Sequence, residues 1–101
     1  MPVFKIASYE VRPEAREEVE RAIQEFAAYV RAELQDSSWV TYRDKKNPNR
    51  YVSLISADDE AADERHRQAP GTKRFVEVLY PRLAGLVEFT EYEPFATSQK
   101  G

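Results

Sequence analysis

A long amphipathic segment that begins at Pro13 constrains the fold more than any other feature of the sequence. Its apolar residues recur at the spacing of one helix face, and they are Ala15, Val19, Ala22, Ile23, Phe26, Ala27, Val30 and Leu34. Charged residues fill the opposite face. Proline suits the first position of a helix, where its missing N–H would have no partner. The segment therefore predicts a helix of about five turns that must bury its apolar face against a second layer.

Strand patterns lie on both sides of this helix. Val3 to Val11 alternates without glycine or proline, which is typical of a β-strand. Trp39 to Arg43 and Arg50 to Ile55 are rich in aromatic and β-branched residues. Between them, Asn47-Pro48-Asn49 indicates a turn. The two segments are therefore expected to pair as an antiparallel hairpin.

Helical patterns return after the hairpin. Asp58 and Asp59 can cap a second helix, which Pro70-Gly71 interrupts. A third helical stretch follows, and its apolar spacing is carried by Phe75, Val76, Leu79 and Leu83. Pro81 is expected to kink this stretch. Leu86 to Tyr92 then predicts a last strand.

The order of these elements predicts an α+β protein with the ferredoxin-like arrangement βαββαβ and an antiparallel four-stranded sheet. With 101 residues, the chain has the length of one compact domain. We expect this domain to span residues 1–95. Residues 96–101 have nothing to bury and are expected to form a flexible C-terminal tail.

Both faces of the predicted strands carry large apolar side chains. The opposing sets are Phe4 and Ile6 against Val3 and Tyr9, Val52 and Leu54 against Tyr51 and Ile55, and Val87 and Phe89 against Leu86 and Tyr92. One layer of helices covers only one face of a sheet, and a face in water would be more polar. We therefore expect a second copy to cover the other face, giving a homodimer. The alternative is a monomer with an exposed aromatic face.

Composition excludes several classes of function. The net charge of −3 has the wrong sign for a protein that grips nucleic-acid phosphates. No apolar run approaches the roughly 20 residues of a membrane helix, and no signal peptide is visible, so we expect a cytoplasmic protein. Cysteine is absent and histidine occurs once, which removes disulfides, thiolate centres and the usual zinc ligand sets. We therefore expect no metal site.

Four segments of the chain carry a further pattern. They are the Val-Arg-Pro-Glu opening of the long helix, the stretch from Trp39-Val-Thr-Tyr-Arg43 through Asn47-Pro-Asn-Arg-Tyr51, the segment from Asp59-Glu-Ala-Ala through His66, Pro70 and Phe75, and the closing strand into Tyr92-Glu-Pro94. In their order and spacing, these segments resemble the antibiotic biosynthesis monooxygenase family over nearly the whole chain. The resemblance implies a dimeric α+β barrel, with a pocket between sheet and helices in each subunit.

The resemblance also implies an activity. Well-studied relatives oxygenate polycyclic phenols without metal or flavin, so this chain is expected to be a cofactor-independent monooxygenase acting on a small aromatic or polycyclic phenol or quinol. The alternative is a non-catalytic dimer that binds a small molecule or serves a structural role. Haem binding through His66 is a third option, because other members of the wider group bind and degrade haem.

The sequence departs from the family at two positions. Ile55-Ser56-Ala57 stands where many active members carry a tryptophan at the end of strand three. Haem-degrading relatives also use a strand-one asparagine, whereas the first strand here offers only Ser8 as a small polar group. These departures weigh against haem degradation and, less strongly, against oxygenation.

His66 is the candidate catalytic base. Cofactor-free oxygenation requires the substrate to lose a proton before its anion reacts with O₂, and histidine is the side chain whose unperturbed pKa lies near neutrality. Ala62 and Ala69 share its helix face and leave room beside it. Asp63, one turn earlier, is a candidate to orient the ring. The alternative is a histidine that only forms a hydrogen bond across the helix–sheet boundary.

Four residues of the predicted hairpin are candidates for substrate binding. Trp39, Tyr42 and Tyr51 offer flat rings that can stack on an aromatic substrate, although strand aromatics are also typical of a core or an interface. Arg43 alternates in phase with Trp39 and can balance a phenolate or a carboxylate. An exposed hairpin arginine is the alternative for that residue.

Overall fold

The computed structural model describes residues 1–99, which form a four-stranded antiparallel sheet with helices on one side. In chain order the elements are β1 (Val3–Glu10), α1 (Arg16–Glu33), β2 (Ser37–Arg43), β3 (Arg50–Ala57), α2 (Glu60–Gln68), α3 (Pro70–Leu79) and β4 (Glu88–Tyr92). The strands lie in the order β2-β3-β1-β4, and every neighbouring pair is antiparallel. The predicted α+β class and ferredoxin-like arrangement are confirmed, with the second helical region divided into two helices.

The long amphipathic helix is α1. Pro13 opens a single 3₁₀ turn, Pro13–Ala15, and the regular helix begins at Arg16. Glu17 and Glu18 lie in its first turn, where they complement the positive end of the helix dipole. The residues that this helix buries are Val19, Ala22, Phe26 and Val30. Their spacing turns one face of α1 toward the protein interior and leaves the charged face in solvent.

The second helical region begins as predicted. The Asp59 carboxylate accepts a hydrogen bond from the backbone N–H of Ala62 and caps α2. Ala69 separates α2 from α3 with extended backbone, the conformation preferred before proline. Pro70 then opens α3, where its missing N–H leaves no bond unmade.

The third helix is shorter than its apolar spacing predicts. α3 ends at Leu79, and Pro81 lies in the following 3₁₀ turn because it has no N–H to continue the helix. Leu83 has extended backbone and forms an isolated bridge with Val11. The prediction that the helix continues to Leu83 is therefore wrong.

The last strand begins two residues later than predicted. Leu83 forms a bridge with Val11, and Glu88 pairs with Ser8. Four residues lie between Leu83 and Glu88, whereas two lie between Ser8 and Val11, so the segment before β4 has two surplus residues. The surplus residues form a loop that leaves the sheet. Leu86, predicted as the first strand residue, lies in this loop and is 90% exposed.

Strand alternation divides the sheet residues between two faces. On β1 the residues buried beneath the helices are Val3, Ala7 and Tyr9. Phe4 and Ile6 lie on the opposite face, as the alternation predicts. The sheet therefore has one face in the core and one face that the helices leave uncovered.

The uncovered face carries an apolar band that crosses the sheet from β2 to β4. Its most exposed apolar residues are Val40, Tyr42, Leu54 and Tyr92, each between 41% and 55% exposed. Leu54 lies near its centre, paired with Ile6 on β1 and Val40 on β2. A contiguous apolar face of this extent is unusual on a monomer.

The end of the described chain has no regular structure. Residues 93–99 are exposed and lie outside any helix or strand. Lys100 and Gly101, which belong to the predicted tail, lie outside the described residues, and the boundary at residue 95 stays a prediction. None of the helices in residues 1–99 has the length and apolar character needed to cross a bilayer.

Gly71 is predicted to be essential for the packing of α3 against α1. A Cβ atom at this position would overlap the ring of Tyr29 on α1, whereas a Cβ at Gly85 would meet nothing within 4 Å. Overpacking costs about 1–3 kcal/mol, and alanine recovers up to about 1 kcal/mol of helix propensity. Because this overlap with the Tyr29 ring is far inside van der Waals contact, we take the upper end of this cost and expect Gly71→Ala to lower the free energy of unfolding by about 2 kcal/mol.

Chemical denaturation of the two glycine variants tests this expectation. Gly85→Ala is the matched control and should stay within about 0.5 kcal/mol of the wild type. Equal stabilities for the two variants would contradict the packing described for α1 and α3.

Candidate functional site

A cavity of about 260 Å³ lies between the helix-facing side of the sheet and the helices. Its wall is mostly aromatic and aliphatic, formed by Ala7, Tyr9, Phe26, Trp39, Ile55, Phe75, Val76, Leu79, Tyr80, Val87 and Phe89. Its polar lining residues are Lys5, Ser53, Asp63, His66, Arg67 and Thr72. Tyr80 and Phe89 are also exposed, so they mark the mouth. An apolar cavity with few polar groups is the usual form of a small-molecule site.

Phe26 of α1 organises the aromatic wall. Its ring stacks on Phe75 of α3 with centroids 4.8 Å apart. Trp39 of β2 packs edge-on against it, also at 4.8 Å. The imidazole of His66 is edge-on at 5.7 Å. Rings from four different elements therefore hold one another in place, because each fixes the rotamer of the next.

His66 lies on α2 and is 5% exposed. Its Nδ1 is 3.1 Å from the hydroxyl oxygen of Ser37, and that hydroxyl is 3.2 Å from the backbone carbonyl of Leu34. A carbonyl only accepts, so the one hydroxyl proton of Ser37 goes to Leu34 and Ser37 accepts from Nδ1–H. This network assigns the proton to Nδ1 and leaves Nε2 as the free acceptor.

Burial lowers the pKa of His66 below its ordinary value of 6.5. The carboxylate of Asp63 acts against this shift, the ammonium of Lys5 adds to it, and Asp36 acts against it. Desolvation is the largest of these effects. The imidazole is therefore neutral at pH 7, the state in which it can accept a proton.

Asp63 does not orient the imidazole as the sequence analysis suggests. Its carboxylate accepts a hydrogen bond from Nζ of Lys5 at 2.8 Å and lies 3.3 Å from Nε of Arg67. The side chain of Asp63 is 4% exposed and that of Lys5 is 18% exposed. Ser37 holds the ring of His66 instead, and the ion pair forms a separate part of the cavity wall.

The buried hydroxyls of the cavity wall are those of Tyr9 and Ser53 on the sheet and of Thr72 on α3. Ser53 shares hydrogen bonds with Thr41 at 2.7 Å and with Tyr9 at 3.3 Å. Burial raises the pKa of the Tyr9 phenol, so it stays protonated. Within residues 1–99 the buried hydroxyl of Thr72 has no hydrogen-bond partner. Because a buried polar group without a partner costs free energy, Thr72 is positioned to bond to a ligand.

Of the predicted binding residues, the structure places Trp39 beside His66 in the cavity. Tyr51 is buried on the same face, where it stacks on Tyr9 and donates a 2.6 Å hydrogen bond to Glu20. Burial and this carboxylate raise its pKa. Arg43 also pairs with Glu20, at 2.9 Å on the exposed side. Neither residue lines the cavity.

Tyr42 lies on the opposite face of the sheet. Alternation along β2 turns Trp39 toward the helices and Tyr42 away from them, where it is 55% exposed. It therefore contributes to the uncovered apolar face and cannot touch a ligand in the cavity of its own subunit.

The two positions at which the sequence departs from the family have clear places in the structure. Ser8 lies on the uncovered face, where its hydroxyl accepts a 3.2 Å hydrogen bond from Arg50. At the end of β3, Ile55 lines the cavity, whereas Ser56 faces away and bonds Ser38 at 2.5 Å. Within residues 1–99 no three His, Asp or Glu side chains cluster closely enough to hold a metal ion.

Solved structures with the same fold cover nearly the whole chain. An antibiotic biosynthesis monooxygenase homologue from Bacteroides thetaiotaomicron has a TM-score of 0.88 at 20% identity, covering 99% of this chain and 95% of its own. Rv0793 from Mycobacterium tuberculosis has a TM-score of 0.86 at 22% identity, covering 98% and 100%. A protein from Caulobacter crescentus has a TM-score of 0.87 at 20% identity, covering 94% and 91%. At these identities the likeness shows the fold.

The sequence itself gives the assignment to a family. No match was found among curated proteins. The family model for antibiotic biosynthesis monooxygenase, however, matches residues 2–78, which include β1, β2, β3 and His66. The chain therefore belongs to the antibiotic biosynthesis monooxygenase family.

Proposed function

We propose that the protein is a cofactor-independent monooxygenase that binds a small aromatic phenol or quinol in the cavity between sheet and helices. The observation that supports this most is the neutral imidazole of His66 on an apolar wall, with Nδ1 bonded to Ser37 and Nε2 free. A base in this state beside an aromatic ring is what proton abstraction requires. Family membership agrees with the proposal.

The size of the cavity limits the substrate. An apolar cavity of about 150 Å³ holds one benzene ring, so a volume of about 260 Å³ suits a ligand of about two fused rings. Trp39 and Phe75 offer flat surfaces for such rings. Haem fits poorly, because its four coplanar pyrrole rings need roughly twice the space of the two fused rings that this volume holds.

In the proposed reaction, Nε2 of His66 takes a proton from the bound substrate. The resulting anion is electron-rich and reduces O₂, which is the only co-reactant. For a naphthalene quinol, one ring C–H carbon gains one oxygen atom as a hydroxyl group, the two quinol hydroxyls lose their hydrogens to give the quinone, and the second oxygen atom leaves as water with those two hydrogens. The apolar wall excludes solvent from the intermediate.

The competing function is a binding module that holds an aromatic ligand without oxidising it. The observation that favours it is Ile55 at the cavity wall, close to where many active relatives carry a tryptophan. Both functions require the same cavity, so ligand binding alone does not separate them. Turnover does.

Replacement of His66 by alanine should reduce oxygen uptake with a naphthalene quinol by about 10²–10⁴-fold, the usual contribution of a general base. The measurement is steady-state O₂ consumption with an oxygen electrode. Gln68→Ala, on the same helix and exposed, is the matched control and should retain wild-type turnover.

The pH profile gives a second readout of the same prediction. Because the pKa of His66 lies below 6.5, turnover should be flat near neutrality and fall only in more acidic solution as the imidazole is protonated. Unchanged turnover in His66→Ala would show that His66 is not the general base. Tight ligand binding with no oxygen uptake by the wild type would favour the binding module.

We also propose that the uncovered face of the sheet is the interface of a homodimer. Val40, Tyr42, Leu54 and Tyr92 are exposed on this face and come from three different strands. Burial of such a patch releases roughly 25 cal/mol for each Å² of apolar surface. A second copy offers the same surface and closes the assembly by two-fold symmetry.

Replacement of Leu54 by aspartate should dissociate this dimer, because a carboxylate would be buried at the centre of the interface without a partner. Sedimentation equilibrium measures the mass, and a thermal melt checks that the variant is folded. Leu86→Asp is the matched control, since Leu86 lies in a loop and is 90% exposed. A wild-type monomer at micromolar concentration, or a dimeric Leu54→Asp variant, would contradict the proposed interface.

A further inference from the structure

The cavity wall carries an ionic cluster that proton abstraction by His66 does not require. Lys5 lies at the middle of β1 on its helix-facing side, and its Nζ donates a 2.8 Å hydrogen bond to Asp63 of α2. An ammonium group has three N–H donors. Asp63 is the only acceptor that the side chain of Lys5 meets within residues 1–99. Donors therefore remain on Lys5 for a ligand.

The charged side chains of this cluster that line the cavity include more cations than carboxylates. Lys5 and Arg67 both line the cavity, and both contact the same carboxylate of Asp63. Glu64 also pairs with Arg67, but both of these side chains are about half exposed, so solvent screens their charges, and Glu64 does not line the cavity. With His66 neutral, the charged groups that line the cavity are Lys5, Arg67 and Asp63, and Lys5 is the more buried of the two cations. Glu91 lies opposite Lys5 on β4, but it is exposed and does not line the cavity.

The carboxylate of Asp63 also holds the ammonium group of Lys5 in one position. A lysine side chain is flexible in water, but this one is largely buried and its Nζ is held by a carboxylate that is itself almost fully buried. A charge held in advance stabilises an opposite charge without reorganisation, and it does so more strongly in an apolar cavity than in water. Lys5 is therefore suited to a group that becomes negative in the cavity.

We propose that Lys5 is the counter-ion for an oxygen anion of the ligand, so that the cavity selects aromatic compounds with an ionisable hydroxyl and binds them as the anion. This inference rests on the proposed function, because it concerns the same cavity. The ligand O–H bond breaks, the electron pair stays on oxygen beside Lys5, and the proton goes to Nε2 of His66 or to solvent. The unpartnered hydroxyl of Thr72 is a second donor to the bound ligand.

The alternative is that Lys5 and Asp63 form a purely structural ion pair between β1 and α2. The experiment must distinguish this role from that of a counter-ion for the ligand. The probe is para-nitrophenol, whose phenolate is coloured and which is not an oxygenation substrate, so binding is measured apart from turnover. Its methyl ether, para-nitroanisole, has the same ring but cannot ionise. An opposite charge at about 4–6 Å lowers a pKa by about 1–3 units.

We expect absorbance titration to give protein-bound para-nitrophenol a pKa at least one unit below that of the free compound. In Lys5→Met, which keeps the length of the side chain without its charge, this shift should be lost and the phenolate should bind about ten-fold more weakly. Lys5→Arg should retain the shift. Affinity for para-nitroanisole should be the same in all three proteins.

Two further variants keep the test decisive. If Lys5→Met does not fold because Asp63 loses its partner, the double variant Lys5→Met/Asp63→Asn removes both charges and should also lack the shift. Lys73→Met, at an exposed position on α3 outside the cavity, should behave as the wild type.

The outcomes separate this inference from the proposed function. If both probes bind but the pKa shift persists in Lys5→Met, or never occurs in the wild type, Lys5 is not the counter-ion and the aromatic cavity stands. If neither probe binds to the wild type, the aromatic cavity fails and the role of Lys5 fails with it.

Discussion

The packing of three rings around Phe26 is the interaction on which the rest of the structure depends. Phe26 comes from α1, Trp39 from β2, His66 from α2 and Phe75 from α3, so one side chain joins every helix to the edge of the sheet. The same rings form the wall of the cavity. The rings that hold the helices on the sheet therefore also form the candidate binding surface. The only histidine of the chain is one of these packed rings.

The helices cover only one face of the sheet, so the two faces have different surroundings. On β1, alternation turns Lys5 toward the helices and Ile6 away from them. The helix-facing side combines an apolar cavity with an ion pair and a neutral base, whereas the other side is apolar and uncovered. Substitutions at successive positions of one strand therefore affect different surfaces, the cavity wall and the uncovered face.

Sequence patterning was sufficient for the fold and for the centre of the candidate site. The apolar stripe of α1, the alternation of β1 and the family resemblance led to the correct sheet and to His66 and Trp39. Side chains alternate along β2, and Tyr42 lies three positions after Trp39. The sequence alone therefore places these two side chains on opposite faces of the sheet. Tyr51 and Arg43 have the correct parity, but Glu20 of α1 draws both away from the cavity.

The residues that sequence reasoning missed are those whose partners are distant in the chain. A lysine within a strand predicts a solvated position, and only the fold brings Lys5 to Asp63, 58 positions later. Ser37, the first residue of β2, gives no sign in the sequence that it contacts His66 on α2. The hydroxyl of Thr72 is notable because it lacks a partner in three dimensions, a property that no local pattern contains.

The protonation state of His66 is the central claim, and nitrogen-15 NMR of the imidazole tests it most directly. The chain has one histidine, so its two ring nitrogens need no assignment against others. We predict a protonated Nδ1, an unprotonated Nε2 and a titration midpoint below pH 6.5. A proton on Nε2, or a midpoint at or above pH 6.5, would contradict the hydrogen-bond network through Ser37 and the role of His66 as the base.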